Sequence, residues 1–239
     1  MNKLVENNKP LSSMSEEELY VALMPSYEEL KKSMTKQALD EFEYKDIVSS
    51  IYLDLKSKIK FPEEVEGKNI IASLNEEEFN TLSSADTWNA VTSSCATSVY
   101  IVIGDCIGLL VSYFGISASI ARNATKKLLN QLGPKTLNGL MSSFRNISHA
   151  ESFVSKVKEI GGLIWALKNA LGVSAIISAV KGELGVYEGI KAALIMGTQF
   201  AIWFASDGVA FFAELAFATK AIYDTVSDVL AANKECSII

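Results

Sequence analysis

Residues 185–205 read GVYEGIKAALIMGTQFAIWFA and place a small residue at every fourth position: Gly185, Gly189, Ala193, Gly197, Ala201 and Ala205. A four-residue step keeps one face of an α-helix nearly in line. The segment therefore predicts a helix with one face almost free of side chains, against which another backbone packs closely. Only Glu188 and Lys191 carry charge in it. Glycine costs roughly 0.5–1 kcal/mol relative to alanine in an exposed helix, so a stripe holding Gly185, Gly189 and Gly197 suits a helix surrounded by others better than a solvated one. The expected fold class is all-α: a compact multi-helix bundle with apolar, small-residue-rich central helices.

A second segment repeats the theme. Residues 87–121 contain Asp105 as their only formal charge, and Gly104, Gly108 and Ser112 recur at the same four-residue step. The stretch 98–120 predicts another close-packing helix, long enough to span a bilayer, which takes about 20 mainly apolar residues. Asp105 at its centre is costly in lipid unless neutral, paired or facing water. The β-branched run Val99, Tyr100, Ile101, Val102, Ile103 has strand propensity but no flanking turn signals, and helix is the better reading. Residues 192–219 carry only Asp207 and Glu214 and predict a helical hairpin with a tight turn near Asp207 and Gly208.

Around these lie amphipathic, well-punctuated segments. Four capping-box patterns are legible: Ser15 with Glu18, Ser26 with Glu29, Asn75 with Glu78, and Ser148 with Glu151. Pro25 is expected to end a short first helix. Leu30, Met34, Ala38, Phe42, Ile47, Ile51, Leu55 and Ile59 then recur at steps near four, which predicts one long amphipathic helix before Pro62. Residues 62–67 read as an acidic linker, Gly133-Pro134 as a firm break and Gly161-Gly162 as a softer one.

Charge is segregated along the chain, with 18 acidic and 10 basic residues through Asp86 against 10 and 12 beyond it, for a net −6. Two regions are expected: 1–86, acidic, amphipathic and helical, and 87–239, an apolar helical bundle and candidate membrane-inserting part. A hydrophobic content of 49% with only four prolines is high for a soluble globule.

Enzymatic and nucleic-acid functions find no support in the pattern, so no enzyme activity and no cofactor are expected. His149 is the single histidine, no metal or nucleophile constellation accompanies it, and the glycines sit inside helical patterns rather than phosphate loops. The basic residues are scattered through an acidic chain, which argues against nucleic acid as a partner. The first eleven residues are polar and lack the apolar core of a secretory signal. The expectation is a protein soluble when made and reaching its target by a non-classical route, with a cytoplasmic location as the alternative. Cys95 and Cys106 read as buried core thiols. Cys236, fourth from the end in Cys236-Ser237-Ile238-Ile239, fits the prenylation pattern loosely and is a candidate lipidation site.

Amphipathic outer helices around nearly charge-free inner ones, here 98–120 and 192–219, resemble the pore-forming domains of colicins and related α-helical toxins. The resemblance is one of architecture and covers roughly residues 87–233. It implies a water-soluble form that hides its apolar helices and then inserts them into a membrane. The expected function is thus an α-helical pore-forming or membrane-permeabilising toxin or effector. Its partner is a lipid membrane, with self-oligomerisation in addition, and residues 104, 105, 108 and 112 and the ladder from Gly185 to Ala205 serve packing and insertion. Two other readings stay open: a soluble helical interaction or lipid-binding protein, and a resident membrane protein.

Overall fold

A computed structural model describes residues 9–36, 41–57, 93–114, 116–132 and 134–236. The acidic linker, the Asn75 capping box and the boundary expected at Asp86 lie outside them. The described residues form an all-α bundle. A 3-10 turn at Leu11–Ser13 precedes α1 (Glu16–Lys31), α2 (Tyr44–Ser57), α3 (Ser93–Ser112), α4 (Ala118–Leu129) and α5 (Pro134–His149). These are followed by α6 (Phe153–Leu171), α7 (Val173–Lys181), α8 (Val186–Ala205), α9 (Val209–Leu215) and α10 (Thr219–Glu235).

Two apolar cores share α8 as a wall. Met196, Phe200 and Trp203 belong to the larger core, built with α3 through α10. Ile190, Leu194 and Ile202 turn the other way, into a smaller core completed by Leu19, Leu23 and Tyr27 of α1 and Ile47, Val48 and Ile51 of α2. In the larger core α3 lies against α10, α4 and α6, while α7 bridges α4 and α8. The run from Val99 to Ile103 is helical, as its context implied.

Local punctuation was partly realised. Ser15 and Glu18 form the capping box at the start of α1. Pro25 does not end that helix; α1 runs through it to Lys31. An interior proline costs about 3 kcal/mol, and the buried stripe Leu19, Ala22, Leu23, Tyr27 on both sides of it supplies the compensation by packing on the smaller core. Ser26 is therefore no cap, and its hydroxyl hydrogen-bonds Thr198 of α8 at 2.9 Å. The long helix expected from Leu30 to Ile59 is not continuous in the described residues: α1 ends at Lys31, α2 begins at Tyr44, and the two pack on each other. Tyr44 stacks on Tyr27 at 4.4 Å between ring centroids, and its hydroxyl donates to the Tyr20 carbonyl. A stripe near period four reads the same in one long helix as in two that bury it against each other.

Three further expectations are corrected. The helix expected over 98–120 ends at Ser112, and α4 begins at Ala118. Ser148 closes the last turn of α5, its hydroxyl donating to the Arg145 carbonyl, while the capping box of α6 is made by Ser152 and Ser155. Gly161 and Gly162 lie inside an unbroken α6. The break comes at Gly172, whose φ of 82° is open to glycine at little cost. A Cβ at Gly161 would collide with Cε1 of Phe212, so that glycine is a seat for the Phe212 ring.

The small-residue ladder is a packing face only in its middle. A Cβ on Gly189 would meet Lys181 Cγ at 3.1 Å, and one on Gly197 would meet Ser26 Oγ at 3.2 Å. Ala193 is buried, whereas Gly185 and Ala201, toward either end, are exposed and Ala205 is half-buried. Gly197→Leu should therefore push α1 off α8, and overpacking of this kind typically costs about 1–3 kcal/mol. Ala201→Leu, on the same stripe but in solvent, should melt within a degree or two of the unchanged protein. Equal melting temperatures for the two variants, read by circular dichroism, would show that the α1–α8 contact does not depend on Gly197.

Candidate functional site

The features able to carry function are a polar knot in the larger core and the covered apolar helices around it. Gln199 and Trp203 stand one turn apart on α8, and both point at Glu214 of α9. Trp203 Nε1 donates to the Glu214 carboxylate at 2.8 Å, and Gln199 Nε2 donates at 3.3 Å. Tyr113, just past the end of α3, donates its hydroxyl to the same carboxylate. Its ring lies 5.1 Å from that of Trp203, and Phe114, Phe200 and Phe211 complete an aromatic wall. One carboxylate thus gathers donors from the end of α3 and from α8.

Burial raises the proton affinity of Glu214, and the donated hydrogen bonds offset this only in part, so its pKa stays above the ordinary glutamate value. The sign for stability follows. A carboxyl that binds its proton more tightly folded than unfolded makes the packed form more stable as pH falls through the raised value. Glu214 does not loosen the bundle in acid.

The corner between α8 and α9 sets this geometry. The expected hairpin is a bend of 115°. Asp207, with φ of 50°, and Gly208, with φ of 85°, turn the chain, and Gly208 rather than Asp207 occupies the N-cap position of α9. Ser206 Oγ accepts from the Ala210 amide at 3.1 Å. Next to the corner, Lys168 of α6 is 2% exposed. Its ammonium lies 3.5 Å from the ring centroid of Trp165 and 3.9 Å from that of Phe204. Burial lowers its pKa, and the two ring faces stabilise the charge that remains.

On the other side of α8, Lys191 is buried and pairs with Asp54 of α2 at 2.5 Å and with Glu188 at 3.2 Å. Burial opposes its charge, but the hydrogen bonds it donates to the two carboxylates outweigh that and hold its pKa above the ordinary lysine value. This ion pair joins the acidic N-terminal region to α8. Glu183, before α8, pairs with Lys127 of α4 and accepts from Asn123 at 3.0 Å.

Gly104, Asp105 and Gly108 are all buried in α3, with Asp105 7% exposed, and Ser112 is the last residue of that helix. The α3 and α8 stripes do not form one site, because α3 packs chiefly on α10 and α4, and α8 on α7 and α1. Residues 94–111 are the one described helix long and apolar enough to cross a membrane, and 78% of that window is buried inside the protein. Among the described residues no group of three or more potential metal ligands forms a site.

The cysteines depart from expectation. Cys95 is buried but is no plain thiol: it forms a disulfide with Cys236, while Cys106 stays a buried thiol. A sulfur in that bond cannot also carry a prenyl thioether, so the lipidation reading of Cys236 is set aside for the oxidised protein. The cysteines lie 141 residues apart in a chain with three, and nothing in that spacing marked the pair.

No protein-family model, curated protein or solved structure matches the chain.

Glu214→Ala should leave the Tyr113 hydroxyl and Trp203 indole without their acceptor and cost about 2 kcal/mol or more, since each stranded buried donor costs about 1–3 kcal/mol. Glu214→Gln keeps an acceptor oxygen and removes the titration. It should stay near the unchanged protein in acid and become relatively more stable as pH rises above the ordinary glutamate range. Chemical unfolding at stepped pH measures both, and parallel pH profiles for the Gln variant and the unchanged protein would contradict the assignment.

Proposed function

We propose that this protein is an α-helical membrane-permeabilising toxin or effector, which keeps α3 covered in its packed form and inserts it into a target membrane. The burial of α3 carries the reading. A helix of bilayer-spanning length lies mostly buried in a bundle whose α4, α5 and α10 turn Lys127, Arg145, Lys220 and Lys234 to the surface. Two further helix pairs, α6 with α7 across a bend of 83° and α8 with α9 across one of 115°, are apolar enough for a span only when each pair is taken together. The acidic α1 and the charge-balanced α2 cover one side of α8, and the Asp54–Lys191 pair fastens α2 to it. Insertion exposes the Gly104 and Gly108 stripe, a face suited to close helix–helix contact in lipid and so to self-association there.

Release of a trapped dye from liposomes, measured across pH and with increasing anionic lipid, tests this. Leakage is the expected result. Lipid binding without leakage would transfer the protein to the carrier class, and absence of both would remove the membrane altogether.

Asp105 supplies the finer prediction, because it is the only formal charge in residues 94–111. An ionised aspartate at the centre of a spanning helix costs about 2.5–3.5 kcal/mol on insertion scales. Asp105→Asn should therefore permeabilise severalfold faster at neutral pH. The advantage should shrink as pH falls, because a protonated carboxyl is no costlier in lipid than the amide. A constant ratio between the two proteins at all pH values would exclude Asp105 from the insertion step.

A further inference from the structure

We propose that the Cys95–Cys236 disulfide is a redox latch: closed, it holds α3 against α10, and a thiol reductant that opens it frees α3 to leave the bundle. What the freed helix then does rests on the permeabilising reading, whereas the effect of the bond on packing is independent of it.

The bond lies where such a latch is needed. Cys95 is the third residue of α3, and Cys236 directly follows α10, with Cα atoms 4.7 Å apart. These two helices make the most extensive helix–helix contact in the described structure. The inward face of α10 is polar for a core helix: Thr225, Asp228 and Asn233 are buried, and the Asn233 amide donates to the Phe144 carbonyl at 3.2 Å. While the bond is closed, α3 cannot separate from this end of α10, and insertion has to draw those polar groups toward hydrocarbon, where they lose their partners. Once it is open, α10 can stay in water while α3 moves alone. The closed bond also restricts the unfolded chain over a span of 141 residues, so it favours the packed form.

The chemistry is thiol–disulfide exchange with a small thiol. Its thiolate attacks the sulfur of Cys236, the more exposed residue of the pair. The sulfur–sulfur bond breaks, and its electron pair leaves with the Cys95 sulfur, which takes up a proton. A second thiolate attacks the outer sulfur of the mixed disulfide and releases Cys236 as a thiol. Two molecules of reductant thiol thus become one disulfide as the protein cystine becomes two cysteines. Cys106, buried along α3, takes no part.

The experiment uses the full chain, oxidised in air or reduced with dithiothreitol, beside Cys236→Ala and Cys106→Ala. Alkylation after denaturation should find one thiol in the oxidised protein and three after reduction. Three thiols after oxidation would overturn the proposal. Amide hydrogen exchange in water should be at least tenfold faster across residues 94–111 in the reduced protein and in Cys236→Ala, whereas Cys106→Ala should respond to dithiothreitol as the native chain does. Exchange in α3 that ignores the redox state would overturn the latch. With vesicles, reduction should raise dye release at least tenfold, and Cys236→Ala should release at the reduced rate without reductant. A redox response in exchange with no leakage in any form would keep the latch and refute the permeabilising function. Equal leakage from oxidised and reduced protein would refute the latch as a gate.

Discussion

Everything in this molecule is arranged around the burial of α8 on two sides. A helix between two cores needs apolar residues around most of its circumference, and α8 gives Met196, Phe200 and Trp203 to one core and Ile190, Leu194 and Ile202 to the other. Close approach on the α1 side requires a missing side chain at Gly197, and the neighbouring Thr198 and Ser26 hydroxyls satisfy one another there. The few polar groups that α8 does bury are each answered: Lys191 by Asp54 and Glu188, Gln199 and Trp203 by Glu214. An apolar helix with satisfied polar contacts on both sides fixes the register of its neighbours as well as their proximity.

The two ionisable contacts of α8 differ in kind. Lys191 bridges to the half-buried Asp54 of α2 through charges that attract, so the association of α2 with α8 is partly electrostatic. Glu214 accepts hydrogen bonds in a mostly apolar setting, and its burial raises its affinity for a proton. A carboxyl already inclined to hold its proton is the less costly acid to carry if its helix later leaves water. The division matches the segregation of charge along the chain.

The helical class and the apolar character of the central helices were legible because they rest on period and composition, which the sequence displays directly. The middle of the ladder at Gly189 and Gly197 was legible for the same reason. Its ends were not, because whether position 185 or 201 meets another helix depends on where neighbouring helices stop. Pro25 misled since the cost of an interior proline is local, while the burial of Leu19, Leu23 and Tyr27 that outweighs it is tertiary. The Glu214 cluster left a faint trace, a lone acid in an uncharged run after two donors, Gln199 and Trp203, spaced one helical turn apart. Tyr113 could not be foreseen: it lies 101 residues from Glu214 and meets it only through the turn after α3. The Cys95–Cys236 pair is non-local in the same sense.

That pairing also gives the oxidised molecule an unusual covalent topology. From Cys95 to Cys236 the backbone closes into a ring holding nearly all of α3 and every helix from α4 to α10, while α1 and α2 belong to an arm outside it. A single peptide-bond cut anywhere within the ring opens it without dividing it, so the fragments remain one covalent molecule. A cut between α2 and α3 severs the arm from the ring outright. One backbone cleavage therefore has two different meanings in this protein, depending on which side of Cys95 it falls.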